Sequence, residues 1–334
     1  MLPFKKKKED EDKELEAIVA KKPRKPRKKI EPQKPWGKIE RLIVFTFLIS
    51  APIFSIIFFV RSKNSKTAKP VPVTVTAPKI ISNIVVNSVP DTKELNRLLT
   101  AEIENLNGNY GIWVQALDNS YSLGINENDQ FDGASLFKLP LMIGYYQSLD
   151  DGTINPETSY TLKYSDAQSG AGVLASLPAG TEVTYHDMVE DMGKNSDNTA
   201  FAIMTNILGY QTETNVIANL GMTNTDFNNN QLTAFDVGQL FFKLNNNNLI
   251  SNSSKNQLYE FLTDTDFENL IPAELPENVR VVHKYGADED MLGDAGIVFV
   301  GRPYILVILS QNSPEEQTIE IPKLSKIVYD WSTK

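Results

Sequence analysis

Three short polar motifs in this chain carry the side chains that an acyl-transfer site needs. In order along the 334 residues they are Ser135-Leu136-Phe137-Lys138, Ser196-Asp197-Asn198 and Lys284-Tyr285-Gly286. A serine hydroxyl becomes a nucleophile when a neighbouring base accepts its proton, and a desolvated lysine amine can act as that base. The three motifs together therefore indicate a serine hydrolase.

The first motif has a spacing that can bring nucleophile and base together. Ser135 and Lys138 are three residues apart, and residues at this spacing share one face of a helix. The surrounding residues are apolar, which predicts the first turn of a buried helix: Leu136, Phe137, Leu139, Leu141, Met142 and Ile143. In the alternative interpretation, Ser135 caps a core helix and Lys138 extends into solvent.

The other two motifs are predicted to face this pair from opposite sides of a cleft. Ser196 can relay a proton to a leaving nitrogen, and Asn198 can hydrogen-bond a substrate amide. Ordinary helix capping is the alternative for Asp197 and Asn198. Lys284 is predicted to lie on a strand and to point into the cleft, with its neighbours His283 and Tyr285 pointing away.

The end of the third motif predicts an oxyanion hole. Gly286 has no side chain, so the backbone can come close to a substrate there. The next backbone N–H, on Ala287, could pair with that of Ser135 to bind the oxyanion. The N-terminus of the predicted helix adds a positive dipole end at the same place.

Strand patterns at both ends of the C-terminal region enclose a helical middle. The predicted strands are Tyr110–Leu117, Tyr121–Ile125, Val281–Tyr285, Asp294–Val300 and Tyr304–Gln311, and a last helix is predicted from Pro322 to Trp331. The middle, from Ser135 to about Asn246, is mainly helical. This order predicts an α+β domain over 85–334, with one antiparallel sheet flanked by helices, an inserted helical subdomain and a cleft at their junction.

The N-terminal region has the composition of a membrane anchor. Residues 1–41 hold 15 Lys or Arg against 8 Asp or Glu, which indicates a disordered basic tail, and residues 42–60 are an uninterrupted uncharged run of 19 residues. The basic excess predicts a single transmembrane helix over 42–60 in a bacterial cell membrane, with a cytoplasmic N-terminus. Residues 61–84 are predicted to be an extended linker, which places the domain outside the cytoplasm and beside the lipid bilayer. A cleaved signal peptide is the alternative.

Composition also excludes several function classes. Residues 61–334 carry 18 Lys or Arg against 34 Asp or Glu, so a nucleic-acid partner is disfavoured. The chain has no cysteine and only two histidines, His186 and His283, which we expect to be structural. The sequence therefore implies no metal and no organic cofactor, and we expect a monomer.

With these motifs in this order, the chain resembles the class A serine β-lactamases and the related penicillin-recognising D,D-peptidases over roughly residues 91–334. Flanking residues strengthen the resemblance: Gln168-Ser169-Gly170-Ala171-Gly172 before the second motif and Asp294-Ala295-Gly296-Ile297-Val298 after the third. The resemblance implies that Ser135 is the acylated nucleophile, Lys138 its base and Ser196 the proton shuttle. It also implies that Lys284 anchors a substrate carboxylate, while Asp197 is a structural brace.

Two departures from the family pattern bear on activity. Tyr285 stands where the family has Thr or Ser, whose short hydroxyl helps to hold the substrate carboxylate. Class A β-lactamases also carry a loop glutamate that activates the deacylating water. The corresponding loop is shortened to 227–232, and the acids nearby, Glu213 and Asp226, have the wrong context.

Two readings of function follow from these departures. The first is a serine hydrolase that acts through an acyl-serine on β-lactams or on peptidoglycan-like peptides, with slow deacylation. The second is a non-hydrolytic penicillin-binding or cell-wall-sensing module with the same fold.

Overall fold

The computed structural model describes residues 91–104, 106–311 and 314–334. The predicted basic tail, transmembrane helix and linker, 1–84, lie outside these residues. None of the helices within the described ranges is long and apolar enough to cross a membrane. The described residues, from Asp91 onward, form one compact unit.

Eight α-helices and nine strands make up the described part of the chain. The helices are α1 (Thr92–Ile103), α2 (Lys138–Asp150), α3 (Tyr185–Lys194), α4 (Asn198–Leu208), α5 (Gln211–Asn219), α6 (Ala234–Asn246), α7 (Asn252–Phe261) and α8 (Pro314–Ser332). The strands are β1 (Asn109–Ala116), β2 (Ser122–Ile125), β3 (Phe131–Asp132), β4 (Ser159–Thr161), β5 (Glu182–Thr184), β6 (Gln231–Leu232), β7 (Arg280–Ala287), β8 (Met291–Phe299) and β9 (Tyr304–Gln311).

Strands from both ends of the domain form one antiparallel sheet, in the order β2-β1-β9-β8-β7. This confirms the predicted α+β architecture, with the helices α2 to α7 inserted between β2 and β7. Two short two-stranded sheets, β3 with β6 and β4 with β5, lie within the inserted part.

The central strand β9 is apolar from Tyr304 to Leu309 because helices cover both faces of the sheet. Ile305, Val307 and Leu309 belong to the core shared with α2 to α7. Tyr304, Leu306 and Ile308 pack on the other face against α1 and α8. β7 is an edge strand, and its free edge meets the inserted part at the turn Ala134–Phe137 and at Leu262. The sheet and the inserted helices therefore meet where the sequence predicted the site.

The last helix is longer than predicted. It begins at Pro314 rather than Pro322, and Pro322 lies inside it. An internal proline removes one helical hydrogen bond. The helix continues through it because the side chains of Ile321 and Leu324 on either side are fully buried against the sheet.

Candidate active site

Ser135 and Lys138 lie at the start of α2, as the spacing predicted, although Ser135 occupies a separate 3-10 turn over Ala134–Phe137. The Lys138 Nζ lies 2.7 Å from the Ser135 Oγ. Lys138 is only 2% exposed. The alternative with Lys138 in solvent is therefore wrong.

The turn that carries Ser135 is held by a residue that the sequence did not reveal. The N–H groups of Gly133 and Ala134 donate to the backbone oxygen and to the Oδ1 of Asn230, at 2.8 and 3.1 Å. Ala134 has a φ of 43° and Asn230 a φ of 56°, both in the left-handed region. This region is strained for Ala134, whereas Asn tolerates it better. The two hydrogen bonds to Asn230 therefore hold the strained backbone of Ala134 in place.

The second motif brings Ser196 into the same buried cluster. Ser196 is fully buried, with a φ of 57°, between α3 and α4. The Lys138 Nζ lies 2.7 Å from its backbone oxygen, 3.2 Å from its Oγ and 2.7 Å from the Oδ1 of Asn198. Lys138 thus joins the nucleophile candidate to the proton-shuttle candidate.

Asp197 braces the loop in front of the second motif. Its Oδ2 accepts hydrogen bonds from the backbone N–H groups of Val173 and Leu174 at 2.6 and 2.8 Å, and its Oδ1 accepts one from Ala200 at 2.8 Å. Gly172, with a φ of 113°, lies against this carboxylate, and a Cβ there would be 2.5 Å from the Asp197 Cα. The Asp197 side chain caps α4 and is not directed at Ser135, in agreement with the structural role expected for Asp197.

Lys284 reaches the cluster from β7. Its Nζ donates to the Ser196 Oγ at 2.8 Å and to the Tyr285 backbone oxygen at 3.1 Å. The Ser196 hydroxyl therefore lies between two lysine amines. His283 lies on the opposite side of β7 from Lys284, as strand alternation predicted, and contacts Asp294. The Tyr285 ring stacks on Phe267, and its centroid lies 4.9 Å from the Lys284 Nζ.

Burial lowers the pKa of both lysines. It brings the pKa of Lys138 down to about 8, against the opposing effect of the Asp197 carboxylate. Burial, and then the nearby charge of Lys138, lower the pKa of Lys284 well below its ordinary value. A neutral Lys138 amine has a free electron pair that can accept the Ser135 hydroxyl proton, so it can act as a general base near neutral pH.

The geometry of β7 directs the Ala287 N–H away from the sheet. Asp288 donates its N–H to Met291 on the sheet side, whereas His283 donates its N–H to Leu262 on the free edge. Ala287, opposite Leu292, falls between hydrogen-bonded pairs, so its N–H points to the free edge.

The 3-10 turn packs against this edge. A Cβ on Gly286 would lie only 3.2 Å from the Gly133 backbone oxygen and from the Leu136 backbone nitrogen. The first hydrogen bond of the turn is donated by Leu136. The Ser135 N–H is therefore not used by the turn, and with Ala287 it can form the predicted oxyanion hole.

Neither acid near the shortened loop is available at the site. Asp226 accepts hydrogen bonds from the backbone N–H groups of Asn228 and Asn229 and from the Asn229 side chain, at 2.7 to 3.2 Å. Glu213 is fully buried on α5 and accepts from Thr205. Within the described ranges, no carboxylate is hydrogen-bonded or ion-paired to Ser135 or Lys138.

The two histidines contact protein groups through both ring nitrogens. His283 bonds Asp294 at 2.9 Å and Glu268 at 3.1 Å, and these carboxylates outweigh the effect of burial and raise its pKa to about 9. His186 lies 3.4 Å from Asp187 and 3.0 Å from the Gln257 side-chain nitrogen. Both arrangements agree with structural roles.

Comparison with known proteins identifies the family. Residues 92–332 match the β-lactamase enzyme family. A curated relative, the β-lactamase VEB-1 of Pseudomonas aeruginosa, is 22% identical over 262 residues, covering 70% of this chain and 87% of the relative.

Solved structures show the same fold. A β-lactamase from Sphaerobacter thermophilus superposes with a TM-score of 0.69 at 22% identity, over 73% of this chain and 98% of that one. PBP-A superposes with a TM-score of 0.67 at 23% identity, over 71% and 95%. A PBP-A mutant in an acyl-enzyme complex with penicillin G superposes with a TM-score of 0.65 at 22% identity, over 72% and 97%. The chain therefore belongs to the β-lactamase enzyme family, and it shares its fold with PBP-A.

Proposed function

We propose that this protein is a serine hydrolase that forms an acyl-serine intermediate at Ser135. The observation that carries the proposal is the buried Lys138 amine, which contacts both the Ser135 Oγ and the Ser196 Oγ. A base that touches both hydroxyls can take a proton from one and return it through the other. Family membership makes this chemistry the leading expectation.

The proposed acylation moves one proton around this cluster. Neutral Lys138 accepts the Ser135 hydroxyl proton as Oγ attacks the acyl carbon, and the N–H groups of Ser135 and Ala287 bind the oxyanion. The bond to the leaving nitrogen then breaks, and Ser196 donates its proton to that nitrogen while Lys138 returns a proton to Ser196. Lys284 polarises the Ser196 hydroxyl, and Asn198 holds Lys138 and can bind the substrate amide.

The substrate class is proposed from the family. β-Lactams and peptidoglycan-like peptides both present an amide carbonyl that such a site can attack. One structural relative was solved as an acyl-enzyme with penicillin G, which supports the same kind of intermediate here.

Slow deacylation follows from the shortened loop. No carboxylate in the described part of the chain is hydrogen-bonded or ion-paired to Ser135 or Lys138, so we expect no acidic residue to activate the attacking water. This observation also favours the second candidate function, a penicillin-binding or cell-wall-sensing module that is acylated but turns over slowly.

We further propose that residues 42–60 anchor the protein in the bacterial cell membrane, with 1–41 in the cytoplasm and 85–334 outside. The support is the uncharged run and the basic excess before it. Protease added to intact cells should digest the region after Arg61 and spare the tail. A soluble protein beginning near residue 62 in the medium would contradict the anchor.

Covalent labelling tests the acyl-serine proposal. Ser135→Ala should abolish labelling by a serine-directed acylating probe, and Lys138→Ala should slow it by orders of magnitude because both residues act in one step. Ser253→Ala removes an exposed serine on α7 and should label normally. Persistent labelling of Ser135→Ala at another residue would end the assignment.

A further inference from the structure

Two aromatic side chains stack beside the Lys284 amine. The rings of Phe267 and Tyr285 are nearly parallel, with centroids 3.5 Å apart and an interplanar angle of 20°. Phe267 lies in the loop between α7 and β7, and Tyr285 lies on β7 itself. Both side chains are half-buried, so part of the stacked pair is exposed to solvent.

Charged groups fix the loop that carries Phe267. The His283 backbone N–H donates to Leu262 at 2.7 Å, and its ring contacts Glu268 at 3.1 Å and Asp294 at 2.9 Å. Glu268 in turn accepts the Thr265 N–H at 2.7 Å. These contacts lie on both sides of Phe267 in sequence, so the ring is held in a defined position.

The aromatic pair surrounds the amine that would bind an anion. The Lys284 Nζ lies 4.9 Å from the Tyr285 ring centroid and 5.7 Å from that of Phe267, within the range of cation–π attraction. Lys284 is 1% exposed. Its hydrogen bonds to Ser196 and to the Tyr285 backbone use two of its donors.

No guanidinium supplements this amine in the described ranges. Arg97 pairs with Glu94, Arg280 pairs with Glu260 at 2.8 Å, and Arg302 lies 3.6 Å from Asp118. Position 285 also has no short hydroxyl. A substrate carboxylate placed here would be desolvated by the aromatic rings. Its one cationic partner would be Lys284, which already donates two hydrogen bonds, so the cost of desolvation would be poorly compensated.

We propose that Phe267 and Tyr285 form an uncharged aromatic subsite that selects acyl donors with a neutral leaving-side group over donors with a free carboxylate there. The substrate class is thus an internal or amidated peptide, or a neutral ester. This inference rests on the proposed acyl-serine function. The reaction is unchanged: Ser135 Oγ bonds to the acyl carbon, the leaving group departs with a proton, and water later releases the acid and restores the Ser135 hydroxyl.

A matched pair of acyl donors tests the proposal with the full-length chain. Both are benzoylglycyl thioesters; the leaving group is mercaptoacetate in one and mercaptoacetamide in the other. The rate of thiol release gives kcat/KM for each donor. Each kcat/KM is then divided by the rate constant for hydrolysis of that donor by hydroxide, which corrects for the intrinsic reactivity of the two thioesters. The wild-type protein should prefer the amide by roughly tenfold, the discrimination typical of one poorly compensated polar group.

Variants locate the preference in the aromatic pair. Tyr285→Thr and Phe267→Ala should bring the ratio to about one or reverse it, whereas Tyr285→Phe keeps the ring and should keep the preference. Tyr164→Ala removes a side chain that is 92% exposed and should change nothing.

The outcomes separate this inference from the proposed function. Thiol release that Ser135→Ala abolishes supports the acyl-serine function whatever the ratio. A wild-type ratio of one, or a preference for the carboxylate, overturns the aromatic subsite alone. If neither donor releases thiol in a Ser135-dependent way, both the aromatic subsite and the acyl-serine function are overturned.

Discussion

Acylation of Ser135 should follow the titration of Lys138. Burial brings the pKa of Lys138 to about 8, and only the neutral amine can accept the hydroxyl proton. About 1% of the amine is neutral at pH 6 and about half at pH 8, so the acylation rate constant should rise roughly 50-fold between these values and about twofold above them. An ordinary lysine would instead give a tenfold rise per pH unit up to about pH 10.

Quenched-flow labelling of the wild-type protein between pH 6 and pH 10 measures this profile. Asp197 opposes the lowering of the Lys138 pKa, so Asp197→Asn should move the inflection to lower pH if the variant folds. A flat profile, or a rise that continues through pH 10, would refute the assignment of neutral Lys138 as the base.

Three further predictions concern the residues that support the site. The carboxylates around His283 outweigh the effect of its burial and raise its pKa to about 9. The stability that protonated His283 contributes is therefore full below about pH 6.5 and is lost as the pH rises through 9. Between pH 6 and pH 10, the free energy of unfolding in urea should fall by up to about 3 kcal/mol more in the wild-type protein than in His283→Gln. A smaller loss in the wild type than in the variant would contradict this. Gly172→Ala should destabilise the fold by more than about 2 kcal/mol because its Cβ would overlap Asp197. Gly180→Ala is the control: its φ is 95° and no atom lies within 4 Å of the added Cβ, so it bears backbone strain alone. Equal melting temperatures for the two variants would count against the bracing role of Asp197. Asn230→Gly removes one hydrogen bond to the strained turn but keeps a residue that tolerates the φ of 56°, so it should slow acylation about fivefold with little change in melting temperature. An unchanged labelling rate would show that the turn holds its position alone.

Local spacing made much of the site predictable. The separation of Ser135 and Lys138 placed both on one side of the helix start, and strand alternation placed Lys284 on the side of β7 that faces Ser196. The period-two patterns at the two ends of the domain predicted that their strands form one sheet. Each of these inferences depends on neighbours within a few residues in the sequence.

The remaining features depend on contacts between distant residues. The 3-10 turn at Ser135 is stabilised by Asn230, 96 residues after Ala134. The Phe267–Tyr285 stack joins a loop to a strand, and no pattern within either segment indicates it. α8 extends beyond the predicted start because the sheet provides apolar surface for it, which outweighs the local effect of Pro322.

The most direct test of the acyl-serine account is intact-protein mass spectrometry after mixing with a saturating penicillin, followed over time with peptide mapping. The account predicts a single adduct on Ser135 that persists far longer than on a class A β-lactamase, because no carboxylate of the described residues is hydrogen-bonded or ion-paired to Ser135 or Lys138. An adduct on another residue would contradict the nucleophile assignment. Rapid multiple-turnover hydrolysis of nitrocefin, abolished by Ser135→Ala, would contradict the slow deacylation and show that a base operates at this site.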